Sequence, residues 1–532
     1  MSMMGAVMKK TKKIEILRLF GPKYLSDNPC WNSSATFKGK VTLITSGMGT
    51  GKSTAMLKVA AEEQFLGKGE KMLFMTTRCT DAEKLRKKVE RDEDLSKKVV
   101  VKTIQSLEEE IHRYDMTVDT ALSAFKIVVC DEAHYWLTDG AFSESSPLSF
   151  DAVRAYANSV VGTDRMLFLM SATPERIENI FPVVHRVPGE IPTNHVKEIV
   201  FVPDADYVTQ AMINIRRAIE NERKGIIFVR KKSDIEKILS ELGVQAERCA
   251  TFTAACKPDC EADGRYEIPQ DKNVIISTSV LAFGVDFTEP DIDFVMTNDV
   301  DPILAVQELG RRRCFGDKEV TYYISDFEAE YLTRAYAKFQ RFMAEYEMYS
   351  ASKETFYGAG GAWYEAIFRK NRIFRTERHT ESLVVDVAYK ELCERFVGYI
   401  SDLENGVTTW QEMIISRLGF KSGSPAPVKP YREEIDDDAR DMLKRLENVP
   451  ILTTDDWKML GEVLRVKNDT RKGKGTGYKY GDYISSPKKI DPIIRSYGYK
   501  AGERERKQVD GKRISYYPLI RLNDAERDGE ES

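Results

Sequence analysis

Ser46-Gly47-Met48-Gly49-Thr50-Gly51-Lys52-Ser53-Thr54 follows the apolar run Val41-Thr42-Leu43-Ile44 and precedes Ala55-Met56-Leu57-Lys58-Val59-Ala60-Ala61, a helical pattern. The order is strand, glycine-rich loop, helix. Three glycines let successive backbone N–H groups turn inward toward an anion, and the helix N-terminus adds partial positive charge. Ser46 stands where the P-loop pattern has its first glycine, and Gly47 and Gly49 restore the flexibility. Lys52 is placed to reach β- and γ-phosphates, and Ser53 offers a hydroxyl to magnesium. The stretch predicts a nucleoside triphosphate site built from Gly47, Gly49, Thr50, Gly51, Lys52, Ser53 and Thr54.

Downstream, Phe125-Lys126-Ile127-Val128-Val129-Cys130 runs into Asp131-Glu132-Ala133-His134. A strand ending in Asp-Glu beside a P-loop strand is what magnesium-dependent triphosphate hydrolysis needs. Asp131 would join the shell of the ion, and Glu132 would orient and deprotonate water. Lys71 to Thr76, Val99 to Thr103 and Arg165 to Met170 read as further strands, the last entering Ser171-Ala172-Thr173-Pro174. Alternating strands and helices imply a parallel sheet with covered faces and ligands at the carboxyl ends of its strands.

With 532 residues the chain is long enough for three or four domains. A formal net charge of -4 confines any polyanion-binding surface to local patches. The eight cysteines are mostly scattered, several within apolar runs, as suits a reducing compartment. Cys249, Cys256 and Cys260 have no nearby histidine and no apparent fourth ligand, which argues against zinc. No stretch has the length of a signal peptide core or a membrane span, so a soluble, cytoplasmic protein without a membrane partner is expected.

The motifs resemble those of the superfamily 2 helicases, the DEAD/DEAH-box-like ATPases: Gly47 to Thr54 as motif I, Asp131-Glu132-Ala133-His134 as motif II, and Ser171-Ala172-Thr173 as motif III. The resemblance implies a second RecA-like lobe, and residues 196 to 328 carry its pattern. Lys224-Gly225-Ile226-Ile227-Phe228-Val229-Arg230 is similar to motif IV, Asn273 to Phe287 to motif V, and Gln307-Glu308-Leu309-Gly310-Arg311-Arg312-Arg313 to motif VI. On this resemblance Gly284 and Asp286 approach the nucleotide from the second lobe, and Gln307, Arg311 and Arg313 act on the γ-phosphate. Arg311 aligns with the first motif arginine. The second would fall at Cys314, so either Arg313 serves by a shifted path or Arg311 acts alone. The loop, Thr103-Ile104-Gln105-Ser106-Leu107 and the short form of motif VI look most like viral origin-binding-protein helicases, for which the location would be host-cell cytoplasm.

The resemblance implies ATP and Mg2+ as cofactors and translocation on, or unwinding of, nucleic acid. DNA, single-stranded or forked, is the expected partner, in replication or repair alongside other proteins. An RNA helicase, or a nucleic-acid-binding ATPase that does not unwind, is the alternative. Thr77, Arg78, Thr103, Gln105, Ser106, Arg230 and Thr278 are the expected backbone contacts by motif position, and such contacts are sequence-independent.

Beyond residue 328 the pattern changes. Residues 328 to 349 and 381 to 403 show helical spacing of aromatic and apolar residues, more in keeping with a core than with a base-stacking platform. Lys421 to Pro430 is rich in proline and small residues and reads as a linker. From Gly461 to Ile520 there are fifteen lysines and arginines against seven acids, with tyrosines interleaved. Two helices there precede a hairpin turning at Asp510-Gly511 and flanked by Lys512 and Arg513. This looks like a winged helix, with Ile490 to Tyr499 as its recognition helix.

The expected fold is α/β, two tandem RecA-like P-loop lobes with parallel sheets. They are followed by a helical accessory region and a C-terminal winged-helix-like module. The divisions are lobe 1 at 1–195, lobe 2 at 196–328, the accessory region at 329–420, a linker at 421–430 and a basic DNA-binding domain at 431–532.

Overall fold

The computed structural model describes residues 15–16, 25–47, 50–138, 146–189, 193, 195–256, 266–281, 285–312, 319–358, 371–376, 383–420, 425–466, 483–509 and 512–522. Apolar runs too continuous for a half-exposed strand become strands covered on both faces. In lobe 1 they are β1 (Glu15–Ile16), β2 (Lys40–Thr45), β3 (Met72–Thr76), β4 (Val99–Thr103), β5 (Ile127–Cys130), β6 (Met166–Ser171) and β7 (His185–Pro188), in the spatial order β1-β7-β2-β6-β5-β3-β4. Every pairing is parallel. One apolar layer, with Phe37, Met56 and Phe74, covers one face, and another, with Ile104, Trp136 and Phe150, covers the other.

Lobe 2 repeats the plan with β8 (Val196–Pro203), β9 (Lys224–Phe228), β10 (Cys249–Phe252), β11 (Val274–Ser277), β12 (Ile292–Thr297), β13 (Val320–Asp326) and β16 (Val428–Lys429), ordered β10-β11-β9-β12-β13-β8-β16, while β14 (Phe374–Thr376) and β15 (Leu383–Val385) form a separate antiparallel pair. The seventh strand, β16 (Val428–Lys429), comes from the stretch expected to be a linker. Residues 421–424 lie outside the described residues, but Val428 and Lys429 pair parallel with Ile199 and Val200, and the Ile199 N–H donates to the Pro427 carbonyl at 2.8 Å. The preceding helix ends at Leu418 on a left-handed Gly419, and the prolines flank two residues that extend the sheet edge.

Three other expectations meet a different outcome. Ile14 to Phe20 has the apolar spacing of a short helix; Ile14 and residues 17–20 lie outside the described residues, while Glu15 and Ile16 pair parallel with His185 and Arg186 as a two-residue edge strand, local propensity being a weak prior. β6 lies between β2 and β5, so the P-loop strand and the Asp131 strand are next-nearest neighbours rather than adjacent. The expected recognition helix ends at Arg495, and Tyr499 opens β17 (Tyr499–Ala501).

Gly225 on β9 faces Phe294 on β12 in register, and a Cβ there would collide with the Phe294 ring. Gly225→Ala should cost about 1–3 kcal/mol by overpacking, read as a lower urea midpoint at unchanged slope.

The long helix Ala329–Gly358 and the helices Val387–Glu404 and Trp410–Leu418 pack onto lobe 2 within one shared core, where the Phe339 and Phe396 rings stack 4.3 Å apart. The aromatic stripes are therefore core. Ala388 also belongs to the apolar core of lobe 1, so this region touches both lobes.

The C-terminal module comprises the helices Tyr431–Glu447, Thr454–Val463 and Pro487–Arg495. Two antiparallel pairs follow: β17 with β20 (Leu519–Arg521), and β18 (Glu505–Val509) with β19 (Lys512–Tyr516). The second pair is the hairpin expected around Asp510-Gly511, whose turn lies outside the described residues. The module is fixed to the helix Tyr207–Glu220 of lobe 2. Arg216 pairs with Glu462 at 3.0 Å, Arg217 with Glu434 and Asp438, Arg465 donates to Gln210 at 2.6 Å, and Ile213 enters the module core.

Candidate nucleotide cleft

Gly51 takes a left-handed φ of 86°, which a side chain would resist, and so turns the loop directly into the helix Lys52–Ala61. Lys52 is buried, and its Nζ donates to the carbonyls of Ser46 at 2.8 Å and Gly47 at 3.0 Å, lying back along the loop that it closes. The Thr50 hydroxyl donates to the Gly47 carbonyl at 2.7 Å. Thr54 points elsewhere and accepts from Lys88 at 3.0 Å. Gly49 lies outside the described residues. The segment from Leu25 to Thr36 packs beside the loop, with the Leu25 N–H donating to the Thr50 carbonyl at 3.0 Å.

Asp131 leaves the end of β5 and accepts from the Ser53 hydroxyl at 3.3 Å. Burial, with repulsion from Glu132 next in size, pushes its carboxyl up to about 7 against the pull of Lys52. Glu132 has φ 53° and ψ 51°, the left-handed region that a β-carbon disfavours; such strain gathers where side-chain aim matters more than comfort.

His134, also buried, joins the lobes. Its Nε2 lies 2.5 Å from the Gln307 amide nitrogen of lobe 2, which also donates to the Thr173 hydroxyl at 3.1 Å. Burial above all lowers the pKa of His134, so the ring is neutral at neutral pH. Accepting at Nε2 leaves the proton on Nδ1, which is 2.9 Å from the Ser171 hydroxyl and 3.3 Å from the Glu132 carboxylate. The ends of β5 and β6 thus meet the helix Pro302–Leu309, whose first turn is set by Pro302 and by Asp301 accepting from the Ile303 N–H at 2.9 Å.

Arg311 is buried just past that helix and lies 3.7 Å from the Asp286 carboxylate. Its positive charge helps to lower the pKa of His134 and works against the rise at Asp81, both in lobe 1. Asp81, on the helix Cys79–Glu90, belongs to none of the sequence motifs. Burial raises its pKa, Lys84 and Arg311 oppose that, and Asp286 and Glu132 reinforce it, so acids and arginine from both lobes share one cleft. A lone aspartate in a charged helix gives no sequence signal of this. Arg312 is buried and bridges to Phe287 through its backbone, while Arg313 and Gly284 lie outside the described residues.

Several expected nucleic-acid contacts have local duties. Thr103 caps the helix Ile104–Arg113 by accepting from the Ser106 N–H at 3.0 Å, Ser106 donates to the Thr103 carbonyl, and Gln105 donates to the Tyr135 hydroxyl at 3.3 Å. Thr77 is buried, Arg78 holds the N-cap position of the next helix, and the Thr278 N–H donates to the Phe252 carbonyl. All lie at the carboxyl ends of the strands. Arg230 donates to Asp204 at 2.8 Å and to the Tyr331 hydroxyl at 2.6 Å and lies over the Phe327 ring. Lys512 and Arg513 begin β19 on the hairpin, with Arg513 exposed.

A cavity of about 370 Å3, lined by Lys197, Arg217, Thr321 and Lys429 among others, opens at the amino ends of β8 and β13, the opposite edge from Arg311. Among the described residues no group of three histidines, cysteines or acids could hold a metal, and no helix is long and apolar enough to cross a membrane. Cys249 is buried, Cys256 is exposed, and Cys260 lies outside the described residues.

Two parallel sheets with polar clusters at their facing carboxyl edges define a tandem RecA-like architecture around an interlobe cleft. Residues 39–162 match the family model of the Schlafen group 3 DNA/RNA helicase domain. Similar solved structures include S. cerevisiae Dbp5 bound to RNA and ADP BeF3, 18% identical over 54% of this chain and 80% of that one, with a TM-score of 0.39. The Mycobacterium smegmatis helicase Lhr bound to ssDNA and AMP-PNP is 16% identical over 60% of this chain and 48% of its own, with a TM-score of 0.40. The DUF1998 helicase MrfA bound to DNA is 13% identical over 69% and 55%, with a TM-score of 0.41. No curated protein sequence matches the chain.

Proposed function

We propose that the chain is an ATP-dependent DNA helicase or translocase that couples ATP hydrolysis to movement on, or unwinding of, DNA in replication or repair. The observation that carries this reading is the contact of Gln307 in lobe 2 with His134 in lobe 1, three residues beyond Asp131 at the end of the same strand. Lys52 and the loop from Gly47 to Ser53 bind the phosphates. Glu132 orients the attacking water and takes its proton, and Arg311 stabilises charge on the γ-phosphate when the lobes meet.

The Ser53 hydroxyl and the Asp131 carboxylate are hard oxygen donors, and a carboxyl that burial has pushed up to about 7 is one that a divalent cation would readily keep ionised. Mg2+ held there would polarise the phosphoryl oxygens.

Thr77, Arg78, Thr103, Gln105, Ser106 and Thr278 lie where a strand could cross both lobes. The C-terminal module supports duplex contact in the manner of a winged helix, since Lys488, Lys489, Arg506, Lys507 and Arg513 are all exposed. Its fixation to lobe 2 means that lobe movement would carry it along.

The test is ATP turnover with single-stranded, forked and duplex DNA and with RNA. DNA is expected to stimulate turnover several-fold, and Glu132→Gln to lower it by about 10²–10⁴ while ATP still binds. Stimulation by RNA alone would assign the chain to RNA, and equal turnover with and without nucleic acid would refute the motor.

A further inference from the structure

The helix Val387–Glu404 carries Glu391, Arg395 and Tyr399 at four-residue intervals, which puts them on one face. That face lies along the seam between the lobes. Glu391 accepts from Arg176 at 2.5 Å and from Asn179 at 2.6 Å, both in lobe 1. The Tyr399 hydroxyl donates to Glu175 of lobe 1 at 2.7 Å, and Arg417 on the next helix donates to the same carboxylate at 2.6 and 3.0 Å. Arg395, whose side chain is 1% exposed, pairs at 2.7 Å with Asp301, the residue that caps the Gln307 helix of lobe 2.

The places gripped are not arbitrary. Glu175 and Arg176 directly follow Ser171-Ala172-Thr173-Pro174, whose Ser171 bonds His134 and whose Thr173 bonds Gln307. Arg176 is held at a φ of 63°, in the left-handed region, and its guanidinium lies against the backbone of Gly398, where a Cβ would come within 3.4 Å of it. One helix therefore fastens the exit of the lobe 1 sensor turn and the entry of the lobe 2 helix that answers it. Because the same helix shares the core of lobe 2, separating the lobes must break its lobe 1 contacts.

We infer that the helix Val387–Glu404 is an interlobe clasp that holds the cleft closed, with Glu391, Tyr399 and Arg417 as positioning residues acting through the Glu175-Arg176 turn. Its part in turnover rests on the cleft being an ATPase, but the clasp itself does not. These ion pairs are partly or wholly sheltered, so removing one partner leaves the other uncompensated.

The test is the distance between fluorescent labels at the exposed Val161 of lobe 1 and Val244 of lobe 2 in the full chain, together with ATP turnover. Wild type should give one narrow distance distribution. Glu391→Arg should broaden it toward longer distances and lower kcat about tenfold, with unchanged affinity for a nucleotide analogue on lobe 1. Adding Arg176→Glu to Glu391→Arg restores an ion pair with reversed sense, and Asn179 can turn its amide oxygen to the new guanidinium. Recovery of both readouts supports the clasp. An unchanged distance distribution in Glu391→Arg overturns it, as does a loss that the reversed pair fails to restore. A distribution that responds as expected in a chain without ATP turnover leaves the clasp standing and fails the ATPase reading instead.

Discussion

Lys52→Ala should abolish ATP turnover, by about 10³ or more, while the chain stays folded. The buried ammonium now donates to the Ser46 and Gly47 carbonyls, so it is poised at the mouth of the loop and can swing to phosphate by exchanging one set of oxygen acceptors for another. Alanine removes the charge without filling or cracking the core, since Ala55, Met56, Val59 and Ala60 do the packing of that helix. Turnover and phosphate-dependent nucleotide affinity should fall together, with the thermal midpoint close to wild type. Full turnover in this variant would remove the nucleotide site from the account.

Arg311→Ala should have an effect of similar size with a different signature. An arginine delivered across a cleft stabilises charge that develops only during phosphoryl transfer, so its loss lowers kcat by about 10³ and leaves nucleotide binding nearly intact. The guanidinium is also a structural neighbour of Asp286 at 3.7 Å, so the variant leaves that carboxylate less compensated, and a modest fall in stability should accompany the loss. Binding of a nucleotide analogue separates the two effects.

The motifs were legible because each is local: a turn demanding glycine, a strand end carrying carboxylates, a Gln-x-x-Gly-Arg run at Gln307 to Arg311. Their meeting was legible only through the resemblance, since Gln307 and His134 are far apart in the chain and their contact depends on two sheets facing each other. What the sequence hid was chiefly tertiary. Val428 and Lys429 look like part of a flexible stretch because nothing local says that the edge of β8 is waiting for them. Arg230 looks like a free strand-end cation, yet Asp204, Phe327 and Tyr331, brought in by folding, enclose it. Residues 381 to 403 read as an apolar and aromatic core stripe, and nothing local shows that Glu391, Arg395 and Tyr399 meet partners at the lobe seam.

Chemistry at Lys52, Asp131 and Glu132 is proposed to require an arginine arriving from the other lobe. Single-turnover ATP hydrolysis in the presence of single-stranded DNA, comparing wild type with Arg311→Ala at saturating nucleotide, tests it most directly. The chemical step in Arg311→Ala should be slower by about 10³ at undiminished nucleotide occupancy. An unchanged rate constant in Arg311→Ala would contradict it.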